Sequence, residues 1–203
     1  MTHRIAAVFL LAFFLHAADP TQRDADRAKR EAEAKVKKYE FMLGILEQQM
    51  ATSNRPSAEP LGEASFYAFQ IGDYEKARAY ATEGAARAKK RSDYASRYAG
   101  QTIYYAHWTL GRLALRDGDA ETARNELLLS GKTPGSDLLE DHGPNMQLAD
   151  DLLRRPGSSD EDRQAVIQFF DECAAFWPHE DLKVWKAAVQ SGEIPTFFRT
   201  MMR

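Results

Sequence analysis

Between Tyr104 and Gly131 the sequence YYAHWTLGRLALRDGDAETARNELLLSG carries apolar residues at the three- and four-residue spacing of amphipathic helices, broken once at Asp117-Gly118-Asp119. The spacing predicts a helix to Arg116, a tight turn, and a second helix ending at Ser130-Gly131. Gly118 can supply the positive φ that closes the first helix, and the Asp119 carboxylate can accept from the free N–H groups that open the second. Leu110, Gly111, Ala114, Ala123 and Leu127 fall where two antiparallel helices need small and medium side chains to approach closely.

Such a hairpin cannot bury its own apolar stripe, so further copies are expected. Laid 46 residues upstream, the stretch from Ala64 to Ala85 matches at Ala68/Ala114, Gly72/Gly118, Asp73/Asp119, Glu75/Glu121, Ala77/Ala123 and Arg78/Arg124. The turn and the close-packing positions recur together. Two hairpins are therefore expected over about 61–91 and 93–131. The connection from Gly131 to Gly143 reads as a loop, with Thr133-Pro134-Gly135 suited to a type II turn. A third, weaker hairpin over about 144–178 has a helix from Asn145 to Arg154, opened by Pro144 and ended before Pro156. Its second helix, from Ala165 to Trp177, follows a capping box at Ser159 and Asp162. A capping helix from Glu180 to Ser191, stopped by Gly192, closes the segment 179–203 and offers Leu182, Val184, Trp185, Ala188 and Val189 for burial.

Ahead of the hairpins, residues 19–60 read as a charged helical arm and a loop. Asp19-Pro20 suits a helix start, and RDADRAKREAEAKVKK holds little that could be buried, so a solvated helix is expected. Apolar residues return at Phe41, Met42, Ile45 and Leu46, which should pack on the first hairpin, and the Pro, Ser and Asn between Thr52 and Pro60 mark a loop.

On these residues the hairpins resemble the tetratricopeptide repeat. Leu110 and Gly111 stand at its large residue and Gly early in helix A, Gly118-Asp119 at its turn, and Ala123 and Leu127 at its Ala and large apolar position in helix B. Ala149, Val166, Phe170, Cys173 and Pro178 take the corresponding places in the third copy. That repeat has a period of about 34 residues, so the offset seen here adds about twelve, placed most simply as longer helices between Tyr74 and Arg116. The resemblance, over about Leu61 to Pro178, implies an all-α fold: a TPR-like α-hairpin stack (an α-solenoid) with an N-terminal charged helix and a C-terminal capping helix. The chain is also similar to exported bacterial repeat proteins of unassigned function in which segments like LLLSGKTPGS and GPNMQLA occur.

The resemblance further implies a groove lined mainly by the helix A residues. Counted from Gly111, these are Tyr105, Trp108, Arg112, Leu115 and Arg116. The first copy adds Phe66 and Phe69, and the third adds Met146, Asp150, Leu153 and Arg154. The residues expected to bind a partner are Phe66, Phe69, Tyr105, Trp108, Arg112, Arg116, Met146 and Arg154, because aromatic anchors beside arginines are the usual material of a peptide-binding hot spot.

Composition narrows the picture. Of 203 residues, 44% are hydrophobic and 28% charged, which suits one well-filled domain. Residues 1–18 read as an export signal, with Arg4 as the basic region, Ile5 to Leu15 as the apolar run and Ala17-Ala18 as the small residues. The run is short for a membrane span, although His16 fits a cleavage site poorly and leaves an uncleaved anchor as the alternative. The expected location is the periplasm or the exterior of a bacterium. A formal net charge of −3, one unit more negative once Arg4 leaves with the signal, gives no footing for nucleic acid or an anionic membrane. Cys173 is the only cysteine, so no intramolecular disulfide is available.

Candidate chemistry is sparse. SGKT at Ser130 to Thr133 is no phosphate loop, because the Gly required five positions before Gly131 is Glu126 and a helix precedes it. His107 should be a packed core residue, while His142, beside Asp141, and His179, after Pro178, lack metal-ligand spacing. Neither HExxH, GxSxG nor a paired-cysteine motif occurs. Cys173 is expected to be a buried thiol. Tyr94, Tyr98, Tyr104, Tyr105 and Trp108 fall on different sides of one helix, so some of these rings should be exposed. The expectation is a non-catalytic protein-interaction or scaffold module of the cell envelope, without cofactor or metal, whose partner is a protein or peptide, with membrane contact only if the signal is retained. The alternative is an envelope hydrolase using His107 or His142 with nearby carboxylates.

Overall fold

The computed structural model describes residues 20–53, 58–90 and 97–197, with backbone only for 20–22, 90, 97 and 98. The expected signal 1–18 with Asp19, the middle of the 52–60 loop, the junction containing Asp93 and Tyr94, the Tyr98 ring and residues 198–203 lie outside this description. Among the described residues there are nine α-helices and no strand. The chain divides into two compact units, Met1–Lys35 and Val36–Arg203, a division inside the arm expected over 19–60. Helix α1 (Pro20–Thr52) contributes to both. In the first unit the side chains from Arg23 to Lys35 are exposed and include the pair Arg27–Glu31 at 2.8 Å. No helix of the described residues is long and apolar enough to cross a membrane.

In the second unit, α2 (Glu59–Gln70) and α3 (Tyr74–Lys90) form one hairpin, and α4 (Arg97–Arg116) and α5 (Ala120–Gly131) another. Their turns agree bond by bond across the 46-residue offset. Gly72 and Gly118 sit at φ 85° and 84°, where a side chain would be strained. The Asp73 N–H donates to the Ala68 carbonyl at 2.9 Å, as that of Asp119 does to Ala114 at 2.8 Å. Each Asp carboxylate then accepts from the backbone N–H three residues on, Lys76 at 3.1 Å and Thr122 at 2.9 Å. Ala77 and Ala123 follow, both wholly buried. With 17 and 20 residues, α3 and α4 are longer than α2 and α5, which have 12 each.

The connection after Gly131 departs from the expected loop. Thr133-Pro134-Gly135 is irregular, but Ser136 then caps a short helix, α6 (Asp137–His142), by accepting from the Leu139 N–H while Leu139 is buried. The SGKTPG stretch ties the molecule together: the Thr133 hydroxyl donates to the Gly100 carbonyl at 2.6 Å. At that contact a Cβ on Gly100 would stand 1.6 Å from the Gly135 carbonyl oxygen, so the two backbones touch where only glycine fits.

The next helix, α7 (Gln147–Arg154), begins two residues later than expected, because the Asn145 side chain accepts from the Gln147 N–H instead of entering the helix. The capping box of Ser159 and Asp162 opens α8 (Asp160–Cys173), and α9 (Glu180–Gln190) follows. On α9, Leu182, Trp185 and Val189 are buried, whereas Val184 is 64% exposed. Its face points away from α8, the neighbour on which α9 packs.

One apolar core runs from Tyr39, Leu43 and Leu46 of α1 through Phe66 and Trp108 to Phe169 and Trp185. Helix α4 is its axis, in contact with α2, α3, α5, α6 and α7. Of the five rings expected to lie on different sides of one helix, Tyr104, Tyr105 and Trp108 are closed to solvent, and those of Tyr94 and Tyr98 lie outside the described residues. Every side of α4 has a neighbour.

Candidate functional site

Half of the expected groove is core. Phe66, Tyr105, Trp108 and Met146 are at most 3% exposed, so a docking partner could not touch them without opening the fold. Phe66 lies 5.3 Å from Tyr105 and 5.1 Å from Trp108, ring centre to ring centre, which is direct aromatic packing. These rings meet neighbouring helices: Phe66 of α2 packs on Tyr105 and Trp108 of α4 and on Tyr39 of α1. Leu153 is buried as well.

Phe69, Arg112 and Arg116 remain partly open and are brought together. The Arg112 guanidinium carbon lies 5.0 Å from the Phe69 ring centre and 5.1 Å from that of Trp108. Its Nε donates to Asp151 Oδ2 of α7 at 2.8 Å. Burial lowers the proton affinity of Arg112 and raises that of the Asp151 carboxyl, and their mutual attraction offsets this only in part. Arg112 Nη1 and Trp108 Nε1 are buried without a hydrogen-bond partner among the described residues.

Beside this stack the Arg116 guanidinium covers Tyr74 at 4.1 Å and donates to Asp117 Oδ1 at 3.2 Å. Asp117 also accepts from Arg78 at 2.6 Å. Phe69 and Tyr74 meet edge to face at 5.4 Å, so Phe69, Tyr74, Arg78, Arg112 and Arg116 form one arginine–aromatic face. It borders a shallow hollow of about 670 Å³ lined by Tyr74, Glu75, Arg78, Ala79, Thr82, Glu83, Ala86 and Arg116. Sequence reasoning missed Tyr74 and Arg78 because both belong to helix B. A signal was present in the pairing of Arg78 with Arg124: each arginine reaches forward to an aspartate of the next hairpin, Arg78 to Asp117 and Arg124 to Asp162.

Arg154 stands apart from this face. It pairs with Asp150 at 2.6 Å and donates to the Pro195 carbonyl at 3.4 Å. For the alternative chemistry, one of the two named histidines lies beside a carboxylate. His107 is 4% exposed and its Nδ1 lies 2.7 Å from Glu126 Oε2, between α4 and α5, while His142 is exposed at the end of α6 and outside that pair. Cys173 is wholly buried, which pushes its thiol well above the usual range and keeps it unreactive. Among the described residues no cluster of His, Cys, Asp or Glu could hold a metal ion. Comparison with known protein families, with curated proteins and with solved structures returned no match to this chain.

Proposed function

We propose that this chain is an exported, non-catalytic interaction module: a TPR-like stack of helical hairpins that captures a protein or peptide on the face of Phe69, Tyr74, Arg112 and Arg116. The observation that carries the reading is that arginine–aromatic face. Its guanidinium groups lie on rings and keep N–H donors directed at carboxylates, and a partner that supplies acceptors and apolar surface can use both. The repeated turn geometry supports the stack, since two hairpins built alike can pack alike.

Arg116 is the residue to test. It is exposed, so Arg116→Glu should leave the melting midpoint within a few degrees of the original, whereas the same change at Arg112 would set two carboxylates against each other beside Asp151. Immobilised mature protein should capture a defined set of envelope proteins, identified by mass spectrometry, and the folded Arg116→Glu variant should lose at least nine-tenths of that capture. Undiminished capture of the same set by Arg116→Glu would remove this face from the function.

A further inference from the structure

The last described residues do something that the helices do not require. After α9 the chain runs on without helix, and residues 192–197 meet side chains of α7, α8 and α9. The Phe197 ring packs edge to face on Trp185, with ring centres 5.2 Å apart, and tilts against Phe170 at 6.1 Å. Ile194 joins the same core. Two arginines hold the backbone: Arg154 Nη2 donates to the Pro195 carbonyl, and Arg163 Nη1 donates to the Gly192 carbonyl at 3.3 Å. Phe170 and Trp185 are 1% and 3% exposed with the segment in place.

This is the manner in which a helical scaffold holds an extended peptide: main-chain carbonyls taken by arginine side chains, which read no sequence, and an aromatic side chain set on a ring platform, which does. Ile194-Pro195-Thr196-Phe197 also has a composition suited to such a ligand, since Pro195 limits the conformations lost on docking. We infer that the surface formed by Arg154, Arg163, Phe170 and Trp185 is a second recognition site, for an extended segment with an Ile-Pro-x-Phe pattern, and that this chain fills it in cis with its own residues 192–197. The tail is then an intramolecular competitor. Because a tethered segment acts at an effective concentration of order millimolar, an outside peptide gains the site only when the tail is weakened or released. A partner protein that carries such a segment is what the site fits. It is distinct from the Arg116 face, and its failure would leave that reading untouched.

The test is binding of a fluorescently labelled Gly192–Phe197 peptide (GEIPTF) to the full chain, followed by anisotropy. Two substitutions weaken the tail without touching the platform: Phe197→Ala removes the ring, and Ile194→Ser removes the second apolar contact. The unsubstituted chain should bind the peptide at least tenfold more weakly than either folded variant. Arg154→Ala added to Phe197→Ala should cut the gain several-fold. Equal affinity for the unsubstituted chain and for a folded variant would overturn the proposal. Loss of the helical signal in both variants would also overturn it, because the tail would then be part of the core and not an exchangeable ligand.

Discussion

Asp162 shows how much can rest on one side chain. It is wholly buried, accepts from Arg124 of α5 at 2.8 Å and from Arg155 at 2.6 Å, and also accepts from the Ser159 N–H at 2.9 Å as part of the α8 capping box. Burial alone would raise its carboxyl, but the hydrogen bonds from Arg124, Ser159 and Arg155 outweigh that and hold it below the usual carboxylate range. A depressed folded value means that the contribution to stability is complete above the unfolded value of about 3.9 and is lost as pH falls through the folded one. Removing the carboxylate leaves two arginines facing a desolvated gap. Asp162→Ala should therefore cost about 3–5 kcal/mol at neutral pH by urea unfolding. The deficit of Asp162→Asn relative to the original chain should shrink as pH drops below about 4. A deficit that stays constant down to pH 2 would show that folding does not lower the Asp162 carboxyl below its unfolded value. Sequence reasoning found the cap of Ser159 and Asp162 because its spacing is local. It did not find the two arginines, because Arg124 is 38 residues away and only the packing of α5 on α8 brings it there.

At the scale of elements, the two hairpins were legible because each turn is made by neighbouring residues. Gly118 needs room for a positive φ, Asp119 needs an N–H three residues on, and Ala123 needs to be small. Gly118→Val has space around it but places a β-branched residue at φ 84°, a cost of about 1–3 kcal/mol. Ala123→Glu forces a carboxylate into a wholly closed contact, so a larger loss of roughly 3 kcal/mol or more is expected. Gly100→Ala should be at least as damaging, because its methyl group would meet backbone and not a movable side chain. Thermal unfolding followed by circular dichroism orders the three, and an unchanged midpoint for Ala123→Glu would mean that α4 and α5 do not pack as described. The exposed apolar residues of α1, Phe41 at 69% and Ile45 at 44%, show the limit of this reading. Of the four residues expected to pack on the first hairpin, Leu46 is buried and Met42 packs against the core, but Phe41 and Ile45 turn outward and Tyr39 and Leu43 take their place. An apolar count says that a helix has something to bury, and only its rotation against a neighbour says which residues are buried.

For the molecule as a whole, the address belongs to residues outside the described structure, and the chain itself can be asked. An export signal ending at Ala17-Ala18 should give a mature protein whose first residue, by terminal sequencing, is near Ala18 or Asp19. An intact Met1 on membrane-held protein would establish a retained anchor instead. The all-helical class was determined by the sequence alone, since three- and four-residue apolar spacing, Gly-Asp turns and a capping box are interactions within a few residues and need no tertiary partner. The short helix α6 escaped because six residues carry too little periodicity to register, and it stands on a Ser136 cap and one buried leucine. What faces solvent was decided only by the tertiary structure. The spacing of Tyr105, Trp108, Arg112 and Arg116 along α4 is compatible with a lined groove or with a packed core. With neighbours on every side of α4, the rings went inward and the two arginines were left at the edge. Helix period fixes which residues share a face; which face is covered depends on helix length and packing angle, and these are settled between elements far apart in the chain.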